Sequence, residues 1–279
     1  MRPRSRLAAP ALSLALGLAV ASTSTALLAD MTLHFTDSDG ATGSRLMIKG
    51  ELVRMEEQAE DRSVIYSLYD SRKRTLTMII DEEQSYSELT EEGLKAQAGE
   101  MRAVQQEFVQ QMREQMAQMP PEMRQQMEQQ LIQMGFDPAV MAGSEAPIRD
   151  SSSLTTRKTG ETSTINGVRC DHMEVLLEGR VTNQICVASP DRIRMNRADF
   201  ATLKNLFEFM QNLSDIALSM GGPAAAEIGA EMLPVVDGIP VQVRNMADGS
   251  TVTLVSSSGE RLSADLFRIP EGYQPVAPF

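Results

Sequence analysis

From Met31 onward, apolar and polar residues alternate with a period of two over most of the chain. That period places successive side chains on opposite faces and predicts half-buried strands. Segments 31–36, 45–49, 51–55, 63–69 and 75–80 read as strands, with 85–89 as one more. Turn-forming residues separate them, including Asp37 to Gly40, Gly50, Glu60-Asp61 and Asp70 to Lys73. The even spacing predicts an antiparallel meander.

The period then changes. Thr90 followed by Glu91 and Glu92 predicts a capped helix start. Leu94, Ala98, Met101, Phe108, Met112, Met116 and Met119 recur at spacings that one helix face requires. Pro120-Pro121 ends that helix and starts another, because proline fits a first turn but not an interior. Met123, Met127, Leu131 and Met134 form the second stripe, and Gly135 closes it. A helical hairpin over about 90–135 is expected, followed by a loop over 136–153.

Strand patterns return at 161–165 and 168–177, joined by Asn166-Gly167, a strong type I′ hairpin signal. A third strand reads over 181–188. A helix is predicted over 198–220, with Leu203, Leu206, Phe207, Met210, Leu213, Ala217 and Met220 on one face. Gly221-Gly222-Pro223 stops it, and a short helix is expected over 224–232. Strands at 240–246, 251–256 and 264–269 complete the pattern, with a turn at Asp248-Gly249. This order predicts an α+β fold with a curved, mainly antiparallel sheet of about ten strands. The inserted amphipathic helices need an apolar surface to cover, so an incomplete β-barrel with helices seated in it is expected. No repeat and no domain boundary interrupts 27–279.

Residues 1–26 read as an export signal. Arg2, Arg4 and Arg6 precede an apolar run at 11–21, too short to span a bilayer. The small residues Ser24 and Ala26 favour cleavage after Ala26, with Ala29 the second choice. No cysteine lies near the cut, which argues against a lipid anchor. No later segment is apolar enough to cross a membrane as a helix. The mature chain is expected in the periplasm or outside the cell.

Charge then narrows the partners. The full sequence has 26 Lys+Arg against 38 Asp+Glu, a net charge of −12. Losing the three leader arginines leaves 23 against 38, or −15. Such a surface repels nucleic acid and anionic lipid surfaces.

Cys170 and Cys186 lie eight residues either side of Glu178. A three-residue turn centred there would place them directly opposite on a hairpin. In an oxidising compartment a disulfide is then expected, contributing about 3 kcal/mol in the chain-entropy picture. A redox or metal pair is disfavoured, since there is no CxxC and no cluster of soft ligands nearby.

From Met101 to Met134, 34 residues hold seven Met and eleven Gln. Met112, Met116, Met119, Met123 and Met127 could in principle ligate Cu(I) or Ag(I) through their thioethers. A methionine stripe at helical spacing without His or Cys fits adaptable packing better. Asp171-His172 lacks a nucleophile elbow, and its hairpin position suits a structural histidine. Asp37 and Asp39 before Gly40 lack the remaining calcium-loop ligands and read as a turn. No catalytic constellation and no cofactor motif emerge.

A family likeness rests on the order of weak motifs: Thr159-Gly160, Ile165-Asn166-Gly167, Cys170, Cys186, Gly238-Ile239-Pro240-Val241, then Leu266-Phe267-Arg268-Ile269-Pro270-Glu271-Gly272-Tyr273. The chain resembles exported bacterial domains of unknown function that are similar to the LolA-like group, the carriers and sensors related to outer-membrane lipoprotein sorting. The resemblance implies a half-open β-barrel closed by helices, an apolar cavity for acyl chains or another ligand, and no catalytic residues.

The sequence therefore predicts a non-enzymatic exported protein that binds a lipid or other apolar ligand. Phe207, Met210, Leu213, Met112 and Met116 are the candidate lining residues. Met112, Met116, Met123 and Met127 are candidate lid residues. The alternative is an envelope module whose methionine stripe faces a protein partner instead of the core.

Overall fold

The computed structural model describes residues 30–38, 40, 43–58, 64–118, 120, 123, 154–177, 179–220 and 235–277. One sheet of twelve strands runs through them. The strands are β1 Met31–Asp37, β2 Gly43–Lys49, β3 Leu52–Gln58, β4 Val64–Asp70, β5 Thr75–Ile80 and β6 Ser85–Thr90. After helix α1, Glu91–Ala117, come β7 Leu154–Ile165, β8 Val168–Leu177 and β9 Arg180–Ala188. Helix α2, Arg197–Met220, precedes β10 Ile239–Asn245, β11 Thr251–Ser258 and β12 Gln274–Val276. The spatial order is β12-β6-β5-β4-β3-β2-β1-β11-β10-β9-β8-β7. Every neighbouring pair is antiparallel except β12 with β6. The sheet is curved and does not close: β12 and β7 stand at its two edges.

The inner face of the meander follows from its register. Leu33 lies opposite Leu46, Leu46 opposite Met55, Met55 opposite Ser67, and Ser67 opposite Met78. One pair further along stand Met31, Ile48, Val53, Tyr69 and Leu76, all buried beneath α2. Along this face, β1 to β5 grow less buried toward their other end. Val53 is fully buried, Met55 is half-buried and Glu57 is exposed; Tyr69, Ser67 and Ile65 repeat the trend. The core thus closes at the end of the β2–β3 turn and opens at the opposite end.

Helix α2 is held over that closed end. Asn196 caps it: its Oδ1 accepts from the Asp199 amide at 2.9 Å, and its Nδ2 donates to Asp199 Oδ2 at 2.6 Å. Thr202 Oγ1 donates to the Gly50 carbonyl at 2.7 Å, and Tyr69 Oη donates to the Asn205 carbonyl at 3.2 Å. The buried stripe is Leu203, Leu206, Phe209, Leu213 and Ile216. Phe209 lies outside the stripe predicted from sequence, yet it is fully buried with its ring centroid 5.1 Å from that of Tyr69. The helix face is rotated so that Phe207 and Met210 lie at its margin.

Helix α1 starts as expected, with Thr90 Oγ1 accepting from the Gly93 amide at 3.0 Å. Its first turns pack on the body through half-buried Leu94 and buried Ala98. Glu91 ties it to its surroundings, receiving hydrogen bonds from Arg74 and from Asn212 of α2. Further along, Met101, Val104 and Phe108 are more than half exposed. The expected stripe therefore faces the body only at its N-terminal end. The second helix of the predicted hairpin apart from Met123, the loop over 136–153, the short helix over 224–232 and the export signal lie outside the described residues.

The cysteine hairpin forms a disulfide between Cys170 and Cys186, with Cα atoms 5.3 Å apart. The pairing differs from the expected one. Leu177 pairs with Arg180 across a two-residue turn, and a register shift falls between Val175 and Leu176. His172, not Cys170, therefore faces Cys186. The bridge spans a diagonal of the hairpin, which its short Cα separation allows. The Asn166-Gly167 turn has positive φ at both residues, 48° and 82°, as a type I′ turn requires.

Three further departures each have a local cause. Strand β7 begins at Leu154, seven residues before the predicted 161–165. It is an edge strand exposed along nearly its whole length, so it carries no hydrophobic alternation. The expected strand at 264–269 is a 3-10 turn over Ala264–Phe267, started by Ser263, whose side chain accepts from the Asp265 amide. Edge strand β12 contains Pro275, which hides it from propensity. Ile269 and Tyr273 pack on Tyr66, Leu68 and Ile79, so the C-terminal segment covers the outer face of the meander. Among the described residues no helix is long and apolar enough to cross a membrane.

Candidate functional site: an apolar cleft under the helices

At the open end of the inner face lies a cleft of about 1160 Å³. Phe35, Leu46, Met55 and Met78 form its floor. Leu94 from α1 and Phe207, Met210 and Leu213 from α2 form its roof. The strand register brings the floor together: these side chains share one pleat face and are half-buried, beyond the fully buried positions of the same strands. Large apolar side chains also stand at the mouth. Ile65 is 60% exposed, Val252 41% and Met210 40%. Contiguous exposed apolar groups around a concavity mark a binding surface more often than a folding core. Among the described residues, Ser87 Oγ is the one buried side-chain polar atom without a hydrogen bond. It stands on β6 opposite Met78 of the floor.

Polar groups concentrate at one rim. Arg45, Glu56, Glu57, Asp81 and Glu82 border the cleft there. Arg45 and Glu56 belong to the outer face, one residue out of phase with Leu46 and Met55. Glu56 is buried between two guanidinium groups. It accepts from Arg45 Nε at 2.8 Å and from Arg54 Nε at 2.6 Å. Burial pushes its carboxyl up, but the hydrogen bonds and charges of Arg45 and Arg54 outweigh that and hold it below the usual range. Arg54 in turn lies over the Tyr66 ring, 3.6 Å from its centroid. Glu57 is different: it shares the inner face with Met55 and lies opposite Ile65. Asp81 and Glu82 occupy the exposed turn after β5. Tyr273 donates to Asp81 Oδ1 at 2.7 Å, and that bond pushes the phenol up to about 12.

The residues singled out from sequence separate into two groups. Phe207, Met210 and Leu213 lie together in the roof. Met112 is half-buried on α1 and Met123 is 53% exposed; neither lines the cleft. The side chain of Met116 and all of Met127 lie outside the described residues. The cleft methionines are Met55, Met78 and Met210. Met55 and Met78 were legible as strand residues but not as floor, because local pattern does not show which strands become neighbours. His172 shares a hydrogen bond with Ser163 at 2.7 Å across the β7–β8 pair, away from the cleft. Asp171 precedes it on the opposite pleat face. Among the described residues, no three His, Cys, Asp or Glu side chains are grouped to hold a metal ion.

The chain belongs to a family described as a domain of unknown function (DUF4412), whose model matches residues 94–273. The match begins at Leu94 of the roof, so β1 to β6, which carry most of the floor, precede it. Comparison with curated proteins gives no match. A solved structure of PNGF-II superposes with a TM-score of 0.38 at 7% identity, over 90% of this chain and 32% of that one. The chain thus spans about a third of that protein's length.

Proposed function

We propose that this member of the DUF4412 family is a non-enzymatic, exported binding protein that holds an apolar ligand such as a lipid acyl chain. The architecture meant is a LolA-like half-barrel, with β1 to β6 as the floor and α1 and α2 as the roof. The observation that carries the reading is the cleft itself. Its volume of about 1160 Å³ is slightly above the usual range of ligand pockets, room for a long chain, and its floor and roof are mainly apolar. Three further features support it. The floor and roof contain methionines, which repack around chains of different shape. The mouth exposes Ile65, Val252 and Met210. The disulfide fits an oxidising compartment and so supports export to the periplasm or beyond.

Natively purified protein is expected to carry lipid detectable by mass spectrometry of an organic extract. It is also expected to enhance the fluorescence of N-phenyl-1-naphthylamine, an uncharged apolar probe. Met210→Asp, at an exposed roof position, is expected to weaken the probe by about tenfold while leaving the fold intact, because a carboxylate at the mouth must be desolvated. Absence of both lipid and probe binding would overturn the reading.

A second reading keeps its own observation. Met101, Val104 and Phe108 expose apolar surface along one stretch of α1, beyond the cleft. This favours an envelope protein partner for the outer part of that helix. Met101→Lys with Val104→Lys should abolish such an association and leave probe binding unchanged; loss of probe binding instead would assign this stretch to the cleft.

A further inference from the structure

We infer that the preferred occupant of the cleft is a single-chain amphiphile with a cationic head, not a fatty acid or an anionic lipid; this rests on the apolar-ligand reading above. The reason is the sign of the charge where a head group must sit. A chain lying between floor and roof has its far end at the closed core, beneath Leu203 and beside Leu76. Its head then emerges at the open end, beside Ile65 and the start of β2.

The charged groups bordering that end are Arg45, Glu56, Glu57, Asp81 and Glu82. Arg45 is the sole cation lining the cleft among the described residues, and Glu56 holds it on the outer face. Glu56 also takes Arg54, so this outer cluster is internally compensated. Glu57 stands on the inner face at the mouth, and Asp81 and Glu82 stand on the turn after β5, at the same end of the sheet with β4 between. Among the described residues, an emerging head therefore meets the carboxylates of Glu57 and Glu82, with Asp81, which Tyr273 holds, beside them, and no cation outside the Glu56 cluster. A carboxylate head would be repelled and an ammonium head attracted. The chain's net charge of −12 adds a long-range field of the same sign.

The test is displacement of N-phenyl-1-naphthylamine from the full protein at pH 8 by dodecyltrimethylammonium and by dodecanoate, both below micelle-forming concentrations. Equal chains make the head the variable. The ammonium is expected to displace the probe at a concentration about tenfold lower, as a few carboxylates within one Debye length would give. Tetramethylammonium, the head without a chain, should displace nothing. The preference should shrink several-fold in Glu57→Gln with Glu82→Gln, whose sites are exposed and tolerate the change, and likewise in wild type at 0.5 M NaCl. Dodecanoate displacing as well as the ammonium overturns the inference while leaving the apolar-ligand reading intact. A preference unchanged in the double variant and in salt overturns it too, since the rim would not be its source. If the probe itself fails to bind and no lipid co-purifies, the apolar-ligand reading falls, and the inference with it.

Discussion

Asp199 places a carboxyl where burial works against its charge, and this gives a sharp prediction about stability. It is only 4% exposed, in the first turn of α2. Burial raises its pKa from 3.8 to about 6, opposed by the Asn196 hydrogen bond and aided by the nearby Asp30. The folded state therefore keeps the proton up to about pH 6, while the unfolded chain releases it near pH 4. Between those values the folded state binds more protons, so stability falls as pH rises through the window. A shift of roughly two units corresponds to about 3 kcal/mol at most. Asn at this position cannot ionise, and its carbonyl oxygen can still accept from Asn196 Nδ2. Asp199→Asn is thus expected to be about 1–3 kcal/mol more stable than wild type at pH 7.5 and nearly equal to it at pH 4.

Urea unfolding followed by circular dichroism at pH 4, 5, 6, 7 and 8 would measure this; the chain has no Trp to report by fluorescence. The difference between the two proteins is the quantity to plot. Glu56 and Glu91 are held below the usual carboxylate range despite their burial, by arginine partners in both cases. Their stabilisation is present at neutral pH and is lost as pH falls through their folded values, the opposite slope at the acid end. Both residues are common to wild type and variant, so their effect cancels. A stability difference that stays constant from pH 4 to 8 would refute the assignment.

Other expectations are simpler. Replacing Cys170 and Cys186 by Ser should lower stability by about 3 kcal/mol, because the bridge closes a loop with a sequence separation of 16; the urea midpoint reports it. Gly238→Ala should cost about 1–3 kcal/mol or more, since a Cβ there would lie 2.5 Å from Val187 Cγ1 and 2.8 Å from the Ala188 carbonyl oxygen. Equal melting temperatures for that variant and wild type would contradict the close approach of β10 to β9. Phe209→Ala should cost about 3–5 kcal/mol through the cavity left beside Tyr69, read as a drop in melting temperature.

Much of the architecture was legible because its strands are buried on one face. Period-two alternation located β1 to β6, β8 and β9, and the turn chemistry of Asn166-Gly167 set the hairpin between β7 and β8. What stayed hidden lacked that physical signal. The first half of β7 is polar on both faces, and β12 is three residues with a central Pro275. The segment at 264–269 alternates like a strand, but Ser263 and Asp265 supply a local cap that wins. For the site, Phe207, Met210 and Leu213 followed from helical spacing. The floor could not follow from local pattern, because it depends on which strands become neighbours and on how burial changes along them.

That change along the strands explains how one sheet can hold both a core and a cleft. At the closed end the inner positions are Ile48, Val53 and Tyr69, stiff or bulky side chains that fill the space under Leu203, Leu206 and Phe209. Toward the open end the same pleat face carries Ser44, Met55, Ser67 and Met78. Small hydroxyl side chains leave room, and unbranched thioethers adjust to what enters it. A uniformly packed face would have required branched or aromatic residues at those positions, since cores near crystal density tolerate no space of this size. The methionines that bear on binding in this reading are therefore the strand and roof residues Met55, Met78 and Met210, while the Met/Gln-rich stretch of α1 carries its apolar stripe out past the cleft. Filling the cleft from below separates the two roles: Ser67→Phe should raise stability or leave it unchanged while excluding N-phenyl-1-naphthylamine. A protein that still bound the probe with unchanged affinity after that substitution would move the binding surface away from the inner face.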